Sequence, residues 1–190
     1  ALGVHPLIAG AEALGGRWSQ SHAFGQALEQ WIAPMFAGQE PVFGKKRDDI
    51  IRGAAARLAD VGGPLHPDQR VEIMFDLILR APLAAISHAE RAFLAAAIHH
   101  RYTKAPPRHV EAYNRLLSQD QQAAAAALGA ALRLGADLSG RSEPLLAGFE
   151  ARAVDGKLVL RVKKAVAHLV PFIEAVGRKM SELGATHQVI

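Results

Sequence analysis

The groups in this 190-residue chain that could do chemistry are its histidines, its carboxylates and its basic side chains near helix ends. Their spacing limits that chemistry. His99 and His100 are adjacent, so on a helix they point about 100° apart and cannot chelate one ion well. There is no cysteine, which excludes a disulfide framework, a zinc–thiolate site and a thiol nucleophile. No serine sits in a nucleophile-elbow pattern, and no glycine loop has the phosphate-cradling GxxxxGK[ST] form. Aromatic residues are only 6% and are not interleaved with basic ones, so stacking on single-stranded nucleic acid is a poor fit. What remains is positive charge. Lys45, Lys46 and Arg47 stand at the start of one predicted helix, where free N–H groups and the helix dipole both attract phosphate. Arg70 lies in the first turn of the next helix, and His100, Arg101, Lys104 and Arg108 gather around the end of a third. The competing reading is a solvated rim that keeps the domain soluble.

These groups are positioned by residues 46–104, which read as three successive helices. The first has acids at Asp48 and Asp49 and apolar residues at helical spacing (Ile50, Ile51, Ala54, Leu58), and is expected to stop at Gly62-Gly63 through a left-handed glycine. The second opens at Pro67-Asp68, with His66 reading as a cap-like residue or an anion contact. It aligns Val71, Met74, Phe75 and Ile78 and ends before Pro82. The third begins with the capping box Ser87-x-x-Glu90. Before this region, Pro6 to Leu14 predicts a short helix closed by Gly15-Gly16. Ser21 reads as the N-cap of a helix that buries Phe24, Leu28, Trp31, Ile32 and Met35. After it, Pro106-Pro107 breaks the chain, and Val110 to Leu117 suggests a short helix. Ser118-x-x-Gln121 then opens an alanine-rich helix to about Leu134. Residues 139–144 read as a linker. Alternation on both sides of Asp155-Gly156 predicts a hairpin, a helix is expected from Pro171 to Gly184, and Val189-Ile190 suggests a third strand. The expected fold is mainly α: a helical body over 1–138 with a small αβ appendage over 145–190.

Half of the residues are hydrophobic and 21% charged, which suits one globular domain with a self-sufficient core. The net charge of +4 and a pI near 9.7 favour polyanionic partners, though 22 basic residues face 18 acidic ones. No apolar run approaches a spanning helix of roughly 18 residues, and no signal-peptide pattern opens the chain, so a cytoplasmic setting without membrane or nucleic-acid partners is expected. A first residue of Ala1 suggests a fragment of a longer protein.

The turn Arg57-Leu58-Ala59-Asp60-Val61-Gly62, followed by His66-Pro67, resembles the "Leu-x-Asp-Ile-Gly … His" segment of the C-terminal domain of the bacterial exopolyphosphatase / guanosine pentaphosphate phosphatase family. Residues 92–102, Ala92 to Tyr102, are similar to that family's helix ending in "Tyr/His-His/Arg-Arg". The resemblance implies an HD-like (His-Asp) helical fold. In an active HD site a first His, an adjacent His-Asp pair and a later Asp hold a divalent cation. Here His22 matches the first position and Asp60 the Asp of the pair, but Ala59 replaces the paired His. Ala136 stands where the last ligand belongs, with Asp137 one residue beyond. A one-residue shift turns a side chain about 100° around a helix. No catalytic residue and no metal site is therefore expected.

The resemblance further implies that hydrolysis, with its Mg²⁺, belongs to an N-terminal actin-like domain, while this chain engages inorganic polyphosphate and supports homodimer formation and processivity. The expected polyphosphate-binding groups are Lys45, Lys46, Arg47, Arg70, His100, Arg101 and Lys104. By itself the chain is expected to be inactive. The alternatives are an active HD phosphohydrolase with replacement ligands and a purely structural dimerisation module.

Overall fold

The computed structural model describes residues 3–18, 22–107, 110–155, 157–166 and 188–189. It is mainly helical, in the order α1 (Pro6–Trp18), α2 (His22–Ile32), a short 3-10 turn (Ala33–Phe36), α3 (Lys45–Leu58), α4 (Pro67–Arg80), α5 (His88–Tyr102), α6 (Val110–Leu116), α7 (Gln119–Ser139) and α8 (Glu143–Leu146). A small sheet follows: β1 (Phe149–Val154), β2 (Lys157–Val162) and β3 (Gln188–Val189). The helix from Pro171 to Gly184, the Ser21 cap and Arg108 lie outside the described residues.

Local chemistry sets the helix starts. Both capping boxes form. Ser87 Oγ accepts from Glu90 N at 3.2 Å while Ser87 N donates to the Glu90 carboxylate at 2.7 Å, and Ser118 and Gln121 do the same at the start of α7. Each box satisfies two backbone donors that the helix itself cannot. His66 caps α4, its ring nitrogen accepting from Asp68 N, and Pro67 supplies the pre-set first φ.

The apolar faces then assemble one core. Phe24, Leu28, Ile32 and Met35 from α2 and its 3-10 turn, Ile51 and Leu58 from α3, and Met74 and Ile78 from α4 are buried. So are Leu94 and Ile98 of the central α5 and Leu132 and Leu134 of α7. α5 lies between α4 and α7, and α1 and α2 close over α3.

Several glycines have a different role from the one their pairing suggests. α1 does not stop at Gly15-Gly16 but runs on to Trp18, and Gly15 is small for another reason: a Cβ there would sit 2.6 Å from Arg57 O, where α1 packs on α3. Gly62 and Gly63 do not take a left-handed backbone. They are needed for space: a Cβ on Gly62 would meet Met74 at 2.7 Å and Tyr102 Oη at 2.9 Å. α7 likewise runs five residues past Leu134, and its Gly129 and Gly135 let it lie close against His100 and Leu28. The stretch expected as a linker is instead structured. Ser139 is buried, Gly140 and Arg141 take left-handed φ values of 55° and 68°, and α8 follows at once.

The hairpin pairs Val154 with Lys157 and Phe149 with Val162. Gln188–Val189 adds to β2 in parallel as the third strand. Phe149, Ala151 and Leu158 join the helical core, and Trp31 Nε1 donates to Phe149 O at 2.8 Å, tying the sheet to α2.

Candidate functional site

The basic residues singled out by sequence fall at the two ends of α3. That helix has 14 residues, so the two groups are about 20 Å apart.

At the amino end, Gly44 is the N-cap with φ 96° and offers no side-chain cap. Lys45 and Lys46 are exposed. Arg47 is turned inward. Its Nε donates to Glu90 at 2.6 Å and its Nη2 to Ala85 O at 3.0 Å, and His5 lies 3.4 Å from Nη1. Burial opposes charge on Glu90, but hydrogen bonds from Arg47 and from the Ser87 backbone and hydroxyl outweigh it and hold the carboxyl below its ordinary value. Asp48 binds back to Val42 N and Phe43 N, which shapes the preceding loop. Beside it lies a cleft of about 450 Å³, lined in part by Phe36, Val42, Lys45, Arg52, Phe93 and Leu128.

At the carboxyl end, the tails of α3, α5 and α7 converge with the start of α4. Tyr102 Oη donates to Ala59 O at 2.9 Å. The Tyr102 ring carries two guanidinium groups, Arg101 at 4.9 Å and Arg70 at 5.2 Å from its centroid. Arg70 also donates to Leu65 O and Gly63 O. Asp60 pairs with Arg141 at 3.2 Å. Arg133 donates to His100 O at 2.6 Å and Arg101 O at 3.2 Å, capping the open carbonyl end of α5. Arg101 is only 9% exposed, and its Nε has no hydrogen-bond partner among the described residues. Burial pulls its guanidinium below the ordinary value, against the supporting fields of Tyr102, Asp137 and Asp60.

The two adjacent histidines both reach back to the following loop, His99 Nε2 to Ala105 O at 2.7 Å and His100 Nδ1 to Thr103 O at 3.3 Å. Burial, then the neighbouring His99 and Arg133, push His100 down to about 4, against the Thr103 carbonyl. Burial also lowers His99, against the Ala105 carbonyl.

The expected binding residues are thus divided. Lys45, Lys46 and Lys104 are exposed, whereas Arg47, Arg70, His100 and Arg101 are engaged in or buried by the fold itself. Of the degenerate HD positions, Ala59 and Asp60 lie in the turn after α3, and Ala136 is buried in α7. His22 opens α2, with its side chain outside the described residues. Among the described residues no group of three or more acids and histidines is placed to hold a metal ion. Sequence reading passed over Arg133 and Arg141. The only local signal was the Gly140-Arg141 pair at the end of a long helix.

No helix among the described residues is long and apolar enough to cross a membrane. No curated protein matches the chain at a significant level. A family model described as "Exopolyphosphatase, C-terminal" matches residues 7–171, a span that runs from the second residue of α1 through α8 and both strands of the hairpin and takes in both ends of α3. With nearly its whole length so matched, the chain belongs to the exopolyphosphatase C-terminal family.

Proposed function

We propose that this domain engages inorganic polyphosphate on behalf of an N-terminal actin-like catalytic domain, pairs as a homodimer, and does not itself cleave phosphoanhydride bonds. The family match over residues 7–171 is the observation that carries this reading. The exposed lysines lend it support. Lys45 and Lys46 stand at the start of α3, where Gly44 supplies no side-chain cap and the positive end of the helix dipole adds to their charge, and Lys104 stands about 20 Å away, past the end of α5. A linear polyanion could span that distance where a single phosphate could not. Arg47, Arg70 and Arg101 serve the fold, so the contact is assigned to the lysines on the ground of their exposure. The absence of cysteine suits a reducing cytoplasm.

Charge reversal tests the reading. Lys45→Glu with Lys46→Glu and Lys104→Glu is expected to weaken long-chain polyphosphate binding at least tenfold. Arg161→Glu with Lys164→Glu, on the sheet side, should change it less than threefold. Equal effects from both sets, or none from either, would refute a localised contact.

A further inference from the structure

Where the ends of α3, α5 and α7 meet the start of α4, the gathered side-chain charge is in positive surplus. Arg70, Arg101, Arg133 and Arg141 outnumber the carboxylates of Asp60 and Asp137. The carboxyl ends of the three helices, each worth about half a negative charge, offset part of the difference. They give Arg101 no acceptor, however. Arg133 takes the carbonyls of His100 and Arg101, and Tyr102 Oη takes that of Ala59. The divalent cation of a metal-bearing HD site does not fit here, since Ala59 and Ala136 carry no ligand atom and Asp60 is spent on Arg141 at 3.2 Å.

Arg101 is the side chain that this arrangement leaves unfinished. It is 9% exposed, its Nε is enclosed, and no described residue accepts a hydrogen bond from its guanidinium. Asp60 and Asp137 reach it only through their fields, and burial still pulls it below its ordinary value. The Tyr102 ring beside it offers a π face but no lone pair. Arginine is almost never buried to this degree without a paired charge. Two more guanidinium groups frame the place. Arg70 stacks on the same ring and donates to Gly63 O at 3.4 Å, and Arg141 lies over Gly63, where a Cβ would meet its Nη1 at 2.8 Å. By holding Asp60, Arg141 also keeps that carboxylate from Arg101.

We infer that Arg101 anchors a site for one tetrahedral oxyanion, a phosphate group, with Arg70 and Arg141 beside it. The planar guanidinium fork matches phosphate bidentately, so the anion supplies the lone pairs that the fold withholds and offsets the surplus charge. Free orthophosphate and a phosphoryl unit of a polyphosphate chain share that chemistry. An anion held there serves the fold, as Arg101 itself does. The site does not depend on Lys45 and Lys46, about 20 Å away at the other end of α3.

NMR of the arginine Nε–H groups, with the Arg101 signal assigned through bonds, tests this on the native chain. Orthophosphate added at constant ionic strength is expected to shift that signal saturably, with one phosphate bound per chain, while chloride leaves it in place. Arg141→Gln, at a half-exposed position, frees Asp60 to pair with Arg101 and is expected to weaken phosphate binding roughly tenfold. Lys45→Glu with Lys46→Glu should change orthophosphate binding by less than about twofold, because screening removes exposed charges at that distance. Failure of the lysine contact proposed above would therefore leave this result standing. Long-chain polyphosphate is the second arm: a shift with orthophosphate identifies a free anion, and a shift with the polymer alone identifies a unit of the chain. No saturable shift with either probe, an equal response to chloride, or phosphate binding that Arg141→Gln leaves unchanged overturns the inference.

Discussion

Acid should loosen this fold through His100 well before it reaches the carboxylates. The ring is enclosed between α5 and α7, where Gly129 has no side chain to hold it off, and it spends its Nδ1–H on Thr103 O. A second proton would be added in an apolar setting beside His99 and Arg133. Its folded value of about 4 lies below the ordinary 6.5, so the folded state disfavours protonation. The stabilising contribution is therefore complete above 6.5, is lost as pH falls, and is exhausted below 4. At about 1.36 kcal/mol for each pH unit, that displacement amounts to roughly 3 kcal/mol in full and about 2 kcal/mol between pH 7.5 and pH 5. His99 adds to the loss in the same direction. Glu90 is depressed from 4.5, so its contribution is lost only as pH falls through and below that value, and it does not confuse the window from 6.5 to 5. Urea unfolding at pH 7.5, 6 and 5 reads the effect directly. His100→Gln, which keeps a donor for Thr103 O but cannot be protonated, should remove about 2 kcal/mol of the pH 5 penalty. If His100→Gln retains the native pH dependence, burial of the ring is not its cause.

Two further outcomes follow from packing and capping. Gly129→Ala places a Cβ 2.5 Å from the His100 Cβ and 2.6 Å from Ala97 O, so α5 and α7 must part. A loss of about 1–3 kcal/mol in urea unfolding is expected, and an unchanged midpoint would contradict the close approach. Ser87→Ala removes one half of the α5 capping box and should cost about 1 kcal/mol by the same measurement. It should also raise the Glu90 carboxyl, a shift that carbon-detected NMR titration can follow.

The sequence was readable where the physics is local. A capping box is fixed by residues three apart, so Ser87 with Glu90 and Ser118 with Gln121 announced α5 and α7 correctly, and alternation about Asp155-Gly156 located the hairpin. What was misread depends on distant partners. Gly15 and Gly62 look like helix stops, yet each is small because another element lies against it, and nothing nearby in the chain reveals that element. The arginines were hardest. Arg47 and Arg70 have the spacing of surface charges, but their partners are Glu90 on α5 and the carbonyls of the α3–α4 turn. Arg101 lies in a segment with basic neighbours, and only the convergence of three helix tails makes it internal. A sequence shows that a side chain is charged, but whether that charge faces water or a carbonyl is settled by tertiary structure.

The most direct measurement is titration of long-chain polyphosphate into the chain with released orthophosphate followed in the same vessel. The account predicts saturable binding that weakens steeply as salt rises, as counterion release requires, and strengthens with polymer length, with no orthophosphate above blank in Mg²⁺ or Mn²⁺. Absence of binding at low salt, or orthophosphate release abolished by Asp60→Ala, would contradict it.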